Sequence, residues 1–152
     1  NEPFLFDWGA RLNGYCSDMT RTVVLGKPDT EFKSIFNIVY DAQQKAIDAI
    51  RPGITTRQVD AIARNHIEEN GYKGYFGHGL GHGVGLAVHE PPSLSPIPER
   101  EKTIVENMVF TIEPGIYIRD KWGVRLENMV VVGKNGAEVL NKLEIRMDMI
   151  SR

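Results

Sequence analysis

The sequence predicts an α+β fold, and three observations carry that expectation. Strand-like runs on either side of a tight turn occur twice, at the start of the chain and again after residue 108. Two segments with helical apolar spacing lie between them. A stretch with glycine at every second position, Gly77 to Gly85, separates the helices from the second hairpin and fits no helix. With 152 residues, 41% of them hydrophobic, the chain can form one domain with a core. A net charge of −2 gives no sign of a nucleic-acid or membrane partner, and no apolar run approaches the roughly 18 residues that span a bilayer. The lone Cys16 cannot form an internal disulfide, which fits a reducing, cytoplasmic compartment.

Phe4 to Ala10 and Tyr15 to Leu25 read as the strands of the first hairpin, with Asn13-Gly14 as its turn. A two-residue loop pairs Asp7 with Thr20, and a longer one pairs Asp7 with Asp18. Both registers put the two carboxylates on one face, where like charges repel unless a cation lies between them.

Lys27-Pro28-Asp29-Thr30 opens the first helix, whose stripe runs from Phe32, Ile35, Phe36 and Val39 to Ala42, Ala46, Ile47 and Ile50. Arg51-Pro52-Gly53 stops it. Thr55 and Gln58 form the capping box of a second helix, which buries Val59, Ile62, Ala63 and Ile67 and ends at Asn70-Gly71. His66 reads as a surface residue. The glycine alternation calls for an extended segment with close backbone packing, and no Lys-Ser/Thr pair follows it to suggest a phosphate loop. Pro91 to Pro98 reads as a loop. Met108 to Ile118 and Val124 to Val132 form the second hairpin around Asp120, which makes Glu113 and Glu127 cross-strand partners. Asn135-Gly136 turns into a closing strand at Glu138 to Leu140, and the tail to Arg152 stays unassigned.

Glu113 and Glu127 interrupt apolar, β-branched runs, and a buried carboxylate costs several kcal/mol unless it is paired. Together with Asp7, Asp18 and one histidine of the glycine-rich segment, they make a donor set that suits divalent first-row ions such as Mn²⁺, Co²⁺, Fe²⁺ or Zn²⁺. Any one of these acids alone is more often a solvated or salt-bridged residue. Arg125, two positions from Glu127 on one strand face, offers such a salt bridge for one acid of the four. A two-metal phosphohydrolase is a rival, but it would want more than Arg125 to clamp a phosphate.

Five motifs in order resemble a known family: Asp7-Trp8-Gly9-Ala10, YCSDMTR from Tyr15, HGLGHGVGLAVHEPP from His78, FTIEPG from Phe110, and GVRLEN from Gly123. They resemble the pita-bread metallopeptidases, and within these the X-Pro aminopeptidase and prolidase branch. The resemblance implies a pita-bread fold with a curved antiparallel sheet of two metal-bearing hairpins and two long helices on one face. It further implies that residues 1–152 form the carboxy-terminal part of the catalytic domain, without the first half of that domain or the amino-terminal domain. By resemblance Asp7 binds one ion, Asp18 and Glu127 bridge two, and His82 and Glu113 bind the other, with Mn²⁺ the leading ion. Glu113 would also shuttle protons for a bridging hydroxide, His78 and His89 would orient substrate and stabilise the tetrahedral intermediate, and Arg125 and Tyr117 would stand on the substrate side. The implied reaction cleaves the bond between an amino-terminal residue and proline in a peptide or dipeptide, in a parent protein that forms a homodimer. Methionine aminopeptidases share the His-Gly-x-Gly and His-Glu-x-Pro elements, and His78 with Leu86-Ala87-Val88 favours the X-Pro branch over them. A non-enzymatic or inactive binding module on the same fold is the alternative, and retention of all five ligand positions argues against it.

Overall fold

A computed structural model describes residues 2–147, so the end of the unassigned tail lies outside it. Strand β1 (Pro3–Trp8) runs antiparallel to β4 (Met19–Val24), and the short strands β2 (Arg11–Leu12) and β3 (Tyr15–Cys16) carry the ribbon on to its tip. The tip is the two-residue turn that Asn-Gly favours, with φ of 51° at Asn13 and 90° at Gly14. It selects the register that sets Asp7 opposite Thr20. Both ladders share this register, but hydrogen bonding lapses between them, where Gly9 stands across from Asp18. A Cβ on Gly9 would collide with the Ser17 carbonyl, so the close approach there requires glycine.

Helix α1 (Thr30–Ala49) is capped by Asp29, whose side chain accepts from the Phe32 amide at 2.7 Å. Helix α2 (Thr56–Ile67) opens on the expected capping box of Thr55 and Gln58. Both helices bury their apolar stripes in one core with Phe76, Leu80, Phe110, Ile112, Ile116, Val124 and Leu126, except that Ile62 of α2 is only partly buried and lies outside it. His66 is not freely solvated: it is half-buried between the helices, with Nδ1 2.9 Å from Lys45 Nζ.

The largest sheet has the order β11-β10-β7-β5-β6, from β5 (Gly81–Gly83), β6 (Glu90–Leu94), β7 (Val109–Ile112), β10 (Asn128–Val132) and β11 (Ala137–Val139). The glycine-rich segment thus becomes a strand between two others, packed so closely that a Cβ on Gly81 would strike the Thr111 carbonyl. The proline passage that reads as a loop begins instead as β6. Prolines are tolerated there because β6 is an edge strand, where a missing N–H removes no ladder bond on the open side.

The second hairpin is also divided, into β7–β10 and β8 (Gly115–Ile118) paired with β9 (Trp122–Arg125). The register again agrees on both sides of the break, and it sets Glu113 opposite Glu127 in the gap. The described residues form this five-stranded sheet and three two-stranded ladders, with α1 packed against β7, β8 and β9, and α2 against β6. Buried Arg21 ties the two hairpins together: Nη1 donates to the carbonyls of Thr20 (2.9 Å) and Glu127 (2.6 Å), and Nη2 to Asn128 Oδ1 (2.8 Å) and the Leu143 carbonyl (2.6 Å).

Candidate metal centre

The breaks in the two hairpins face each other. Asp18 sits in one, Glu113 and Glu127 sit in the other, and β5 brings His82 in beside them. Donor atoms of Asp18, His82 and Glu127 all lie within 4.8 Å of one another. His82 Nε2 is 3.3 Å from Glu113 Oε1 and 3.7 Å from Asp18 Oδ2. Its Nδ1 lies 3.0 Å from the Gly83 carbonyl. A carbonyl only accepts, so Nδ1 carries the proton and Nε2 presents its lone pair to the carboxylates, as a metal-binding imidazole requires.

Hydroxyls hold the two glutamates in place. Thr20 Oγ1 donates to Glu127 Oε2 at 2.5 Å, and Thr111 Oγ1 donates to Glu113 Oε1 at 2.9 Å. Burial pushes Glu113 up to about 7, with the charges of Asp18 and Asp7 adding to the rise against the pull of Thr111 and Arg125. Burial pushes Glu127 up to about 8, helped by the charge of Glu113 and opposed by the Thr20 hydrogen bond. Asp18 is raised as well, by burial first and then by Asp7. Ionised together, these carboxylates would repel one another, and oxygen donors with one imidazole are what a hard or borderline divalent ion takes.

Asp7 stands at the rim. It lies opposite Thr20 and is paired with Arg125, whose Nη2 donates to Asp7 Oδ2 at 2.6 Å. Arg125 Nε also lies 4.0 Å from Glu113 Oε2. The salt bridge that the sequence suggests between Arg125 and Glu127 is replaced by these two pairings.

Arg125, Tyr117 and His78 form a hydrogen-bonded relay, and His89 stands outside it. Arg125 Nη1 donates to Tyr117 Oη at 3.1 Å, and Tyr117 Oη lies 2.7 Å from His78 Nε2. His78 Nδ1 is bonded to the Gly79 carbonyl at 2.8 Å, so in the neutral ring Nε2 accepts from the tyrosine. Burial, with the charges of Arg125 and Arg64, lowers His78 and keeps that ring neutral. His89 is exposed, and its ring centroid is 4.1 Å from that of His82. An open cavity of about 610 Å³ between Asp7, Trp8, Asp18 and Leu86-Ala87-Val88 borders the carboxylates.

Residues 1–134 match the family model described as metallopeptidase family M24. The chain belongs to this family. A Xaa-Pro dipeptidase of Pyrococcus horikoshii is 50% identical over 141 residues, covering 92% of this chain and 39% of the relative. Prolidase from Pyrococcus furiosus superposes with a TM-score of 0.91 at 48% identity, over 93% of this chain and 42% of that one. X-Pro aminopeptidase from Thermotoga maritima gives a TM-score of 0.92 at 42% identity, over 96% and 41%. The pita-bread fold expected from the five motifs is thus the fold of this M24 chain, which spans about two fifths of the length of these relatives.

Several residues around the candidate site escaped the sequence. Thr20 and Thr111 each stand two positions from a candidate carboxylate, so strand alternation puts them on its face, a signal that was available. Asp60 and Arg64 on α2 tether the segment that carries His78. Asp60 accepts from the Leu80 amide at 3.0 Å, and Arg64 donates to the carbonyls of Phe76 and His78, both at 2.7 Å. No sequence spacing links a helix pair to a loop in this way.

Proposed function

We propose that the full-length protein is an M24 peptidase that removes an amino-terminal residue from proline, as an X-Pro dipeptidase or aminopeptidase, and that this chain is the carboxy-terminal part of its catalytic domain. One observation carries the reading. Asp18, His82 and Glu127 converge within 4.8 Å at the meeting of two hairpin breaks, with Glu113 beside them. The names of the relatives, Xaa-Pro dipeptidase, prolidase and X-Pro aminopeptidase, support the substrate class.

In this reading Asp7, Asp18, His82, Glu113 and Glu127 hold two divalent ions, with Mn²⁺ the leading choice. When bound, such ions supply Lewis acidity and make water a nucleophile at neutral pH. The protein's own groups do the rest. Hydrolysis adds water across the carbonyl carbon and the proline nitrogen: a C–O bond forms, the C–N bond breaks, and a proton must pass from the attacking water to the leaving nitrogen. Glu113 suits that transfer because its carboxylate stands beside the clustered donors, with Oε1 3.3 Å from His82 Nε2. Its Oε1 is fixed by Thr111, which leaves Oε2 for the proton. His78, His89, Tyr117 and Arg125 form the substrate side, where they orient the scissile carbonyl and support the charge that develops on its oxygen. A cytoplasmic, homodimeric parent completes the reading, the location supported by the unpaired Cys16.

The test is release of the amino-terminal residue from an X-Pro dipeptide and from a longer X-Pro peptide by the full-length protein, with and without Mn²⁺. Cleavage that follows the metal and requires proline supports the reading. A metal-loaded protein that cleaves neither substrate, or that prefers an amino-terminal methionine without proline, overturns it.

A further inference from the structure

Gln43 is a fully buried polar residue in the apolar stripe of α1. Its Nε2 donates to two backbone carbonyls, those of Ile112 at 3.0 Å and Leu126 at 2.8 Å. These residues immediately precede Glu113 and Glu127. Each of the two peptide groups is also held through its other end: the Glu113 amide donates to the Leu80 carbonyl at 2.8 Å, and the Glu127 amide to the Thr20 carbonyl at 3.1 Å. The backbone entering each glutamate is thus clamped from both sides, and a single side-chain amide belongs to both clamps.

The chain needs an outside donor here for a definable reason. Leu126 pairs across the break with Pro114, and its amide donates to the Pro114 carbonyl at 3.4 Å. Proline has no N–H to return, so the Leu126 carbonyl has no cross-strand donor. Gln43 supplies one proton to that carbonyl and the other to the Ile112 carbonyl, and so replaces the rung missing where the ladder parts. A buried carbonyl without a donor would cost free energy, and the strands would shift to recover one.

We infer that Gln43 is a positioning residue: from the helix layer, it sets the separation of Glu113 and Glu127 and with it the competence of the site to bind metal. This inference rests on the reading of those glutamates as metal ligands. Gln43 touches neither carboxylate, so its effect passes through the two peptide groups. Partners that orient ligands in this way change metal affinity by about 10–100-fold when removed.

The test uses the full-length protein and Co²⁺, whose affinity is read by calorimetry and whose visible absorption reports ligand geometry. Gln43→Met keeps the volume and deletes both donors. Gln43→Glu keeps the shape with at most one proton to donate. Ile47→Val, in the same core, is the control for loss of packing alone. The expected result is Co²⁺ affinity about 10–100-fold weaker and an altered absorption spectrum in both Gln43 variants, each folded by near-ultraviolet circular dichroism, with Ile47→Val unchanged. A folded Gln43 variant with wild-type affinity and spectrum overturns the inference, as does an equal loss in Ile47→Val. If neither Gln43 variant folds, the residue is structural and the inference falls. Failure of the unaltered protein to bind Co²⁺ refutes the metal reading itself, a separate result.

Discussion

Arg125 holds the carboxylate of Asp7 at 2.6 Å, so the outermost candidate ligand is already engaged by a protein cation. A metal ion that recruits Asp7 must compete with that guanidinium. Arg125→Ala should therefore bind the first equivalents of Mn²⁺ more tightly, on the order of tenfold, since it removes a positive charge from a half-buried site. The same variant should lose catalytic efficiency because the Tyr117 contact goes with it. Weaker Mn²⁺ binding, measured by calorimetry, would show that Arg125 prepares Asp7 and does not compete for it.

The raised glutamates give the metal-free protein a pH signature. A carboxyl raised by folding binds more protons in the folded state, so its contribution is complete below about pH 4.3, the ordinary value for Glu. That contribution is lost as pH climbs through about 7 for Glu113 and about 8 for Glu127. The thermal midpoint of chelator-treated protein should fall by several degrees between about pH 5.5 and 8.5. Saturating Mn²⁺ should flatten or reverse the trend, since the ion takes over the charge. A chelated protein whose midpoint rises across this window would contradict the assignment.

Thr20 Oγ1 is the donor that favours the charged form of Glu127. Thr20→Val keeps the shape and removes the hydrogen. It should weaken Mn²⁺ binding by about tenfold and destabilise the fold by about 1–3 kcal/mol. Calorimetry and denaturant titration measure the two effects. An unchanged affinity would mean that Glu127 holds its orientation without the hydroxyl.

Tyr117 links His78 to Arg125 and contacts no candidate ligand through its hydroxyl. Tyr117→Phe should lower kcat/KM on an X-Pro dipeptide by about 10–100-fold while metal affinity stays within about twofold. Equal losses in both would move Tyr117 from the substrate side to the metal side.

How much of this was legible in the sequence follows from the range of each interaction. The register that opposes Asp7 to Thr20 was open to reading because a two-residue Asn-Gly turn dictates it locally. The pairing of Glu113 with Glu127 followed from the symmetry of the hairpin about Asp120. The breaks at those residues did not, although Pro114, which has no N–H to pair, marks the one beside Glu113. β6 was unreadable because a proline run is tolerated in a strand only at a sheet edge, and edges are settled by tertiary pairing. The partner of Arg125 could not be chosen along the strand either, since Asp7 reaches it from more than a hundred residues away. Gln43 left the faintest trace, one polar residue in an otherwise apolar stripe.

The Asp60–Arg64 pair on α2 gives the molecule a property beyond its static geometry. Because it grips the backbone from Phe76 to Leu80, the loop bearing His78 cannot be released while that helix stays docked. Heat inactivation and loss of helicity should then coincide, leaving no loosened intermediate in which the scaffold survives and the chemistry has gone.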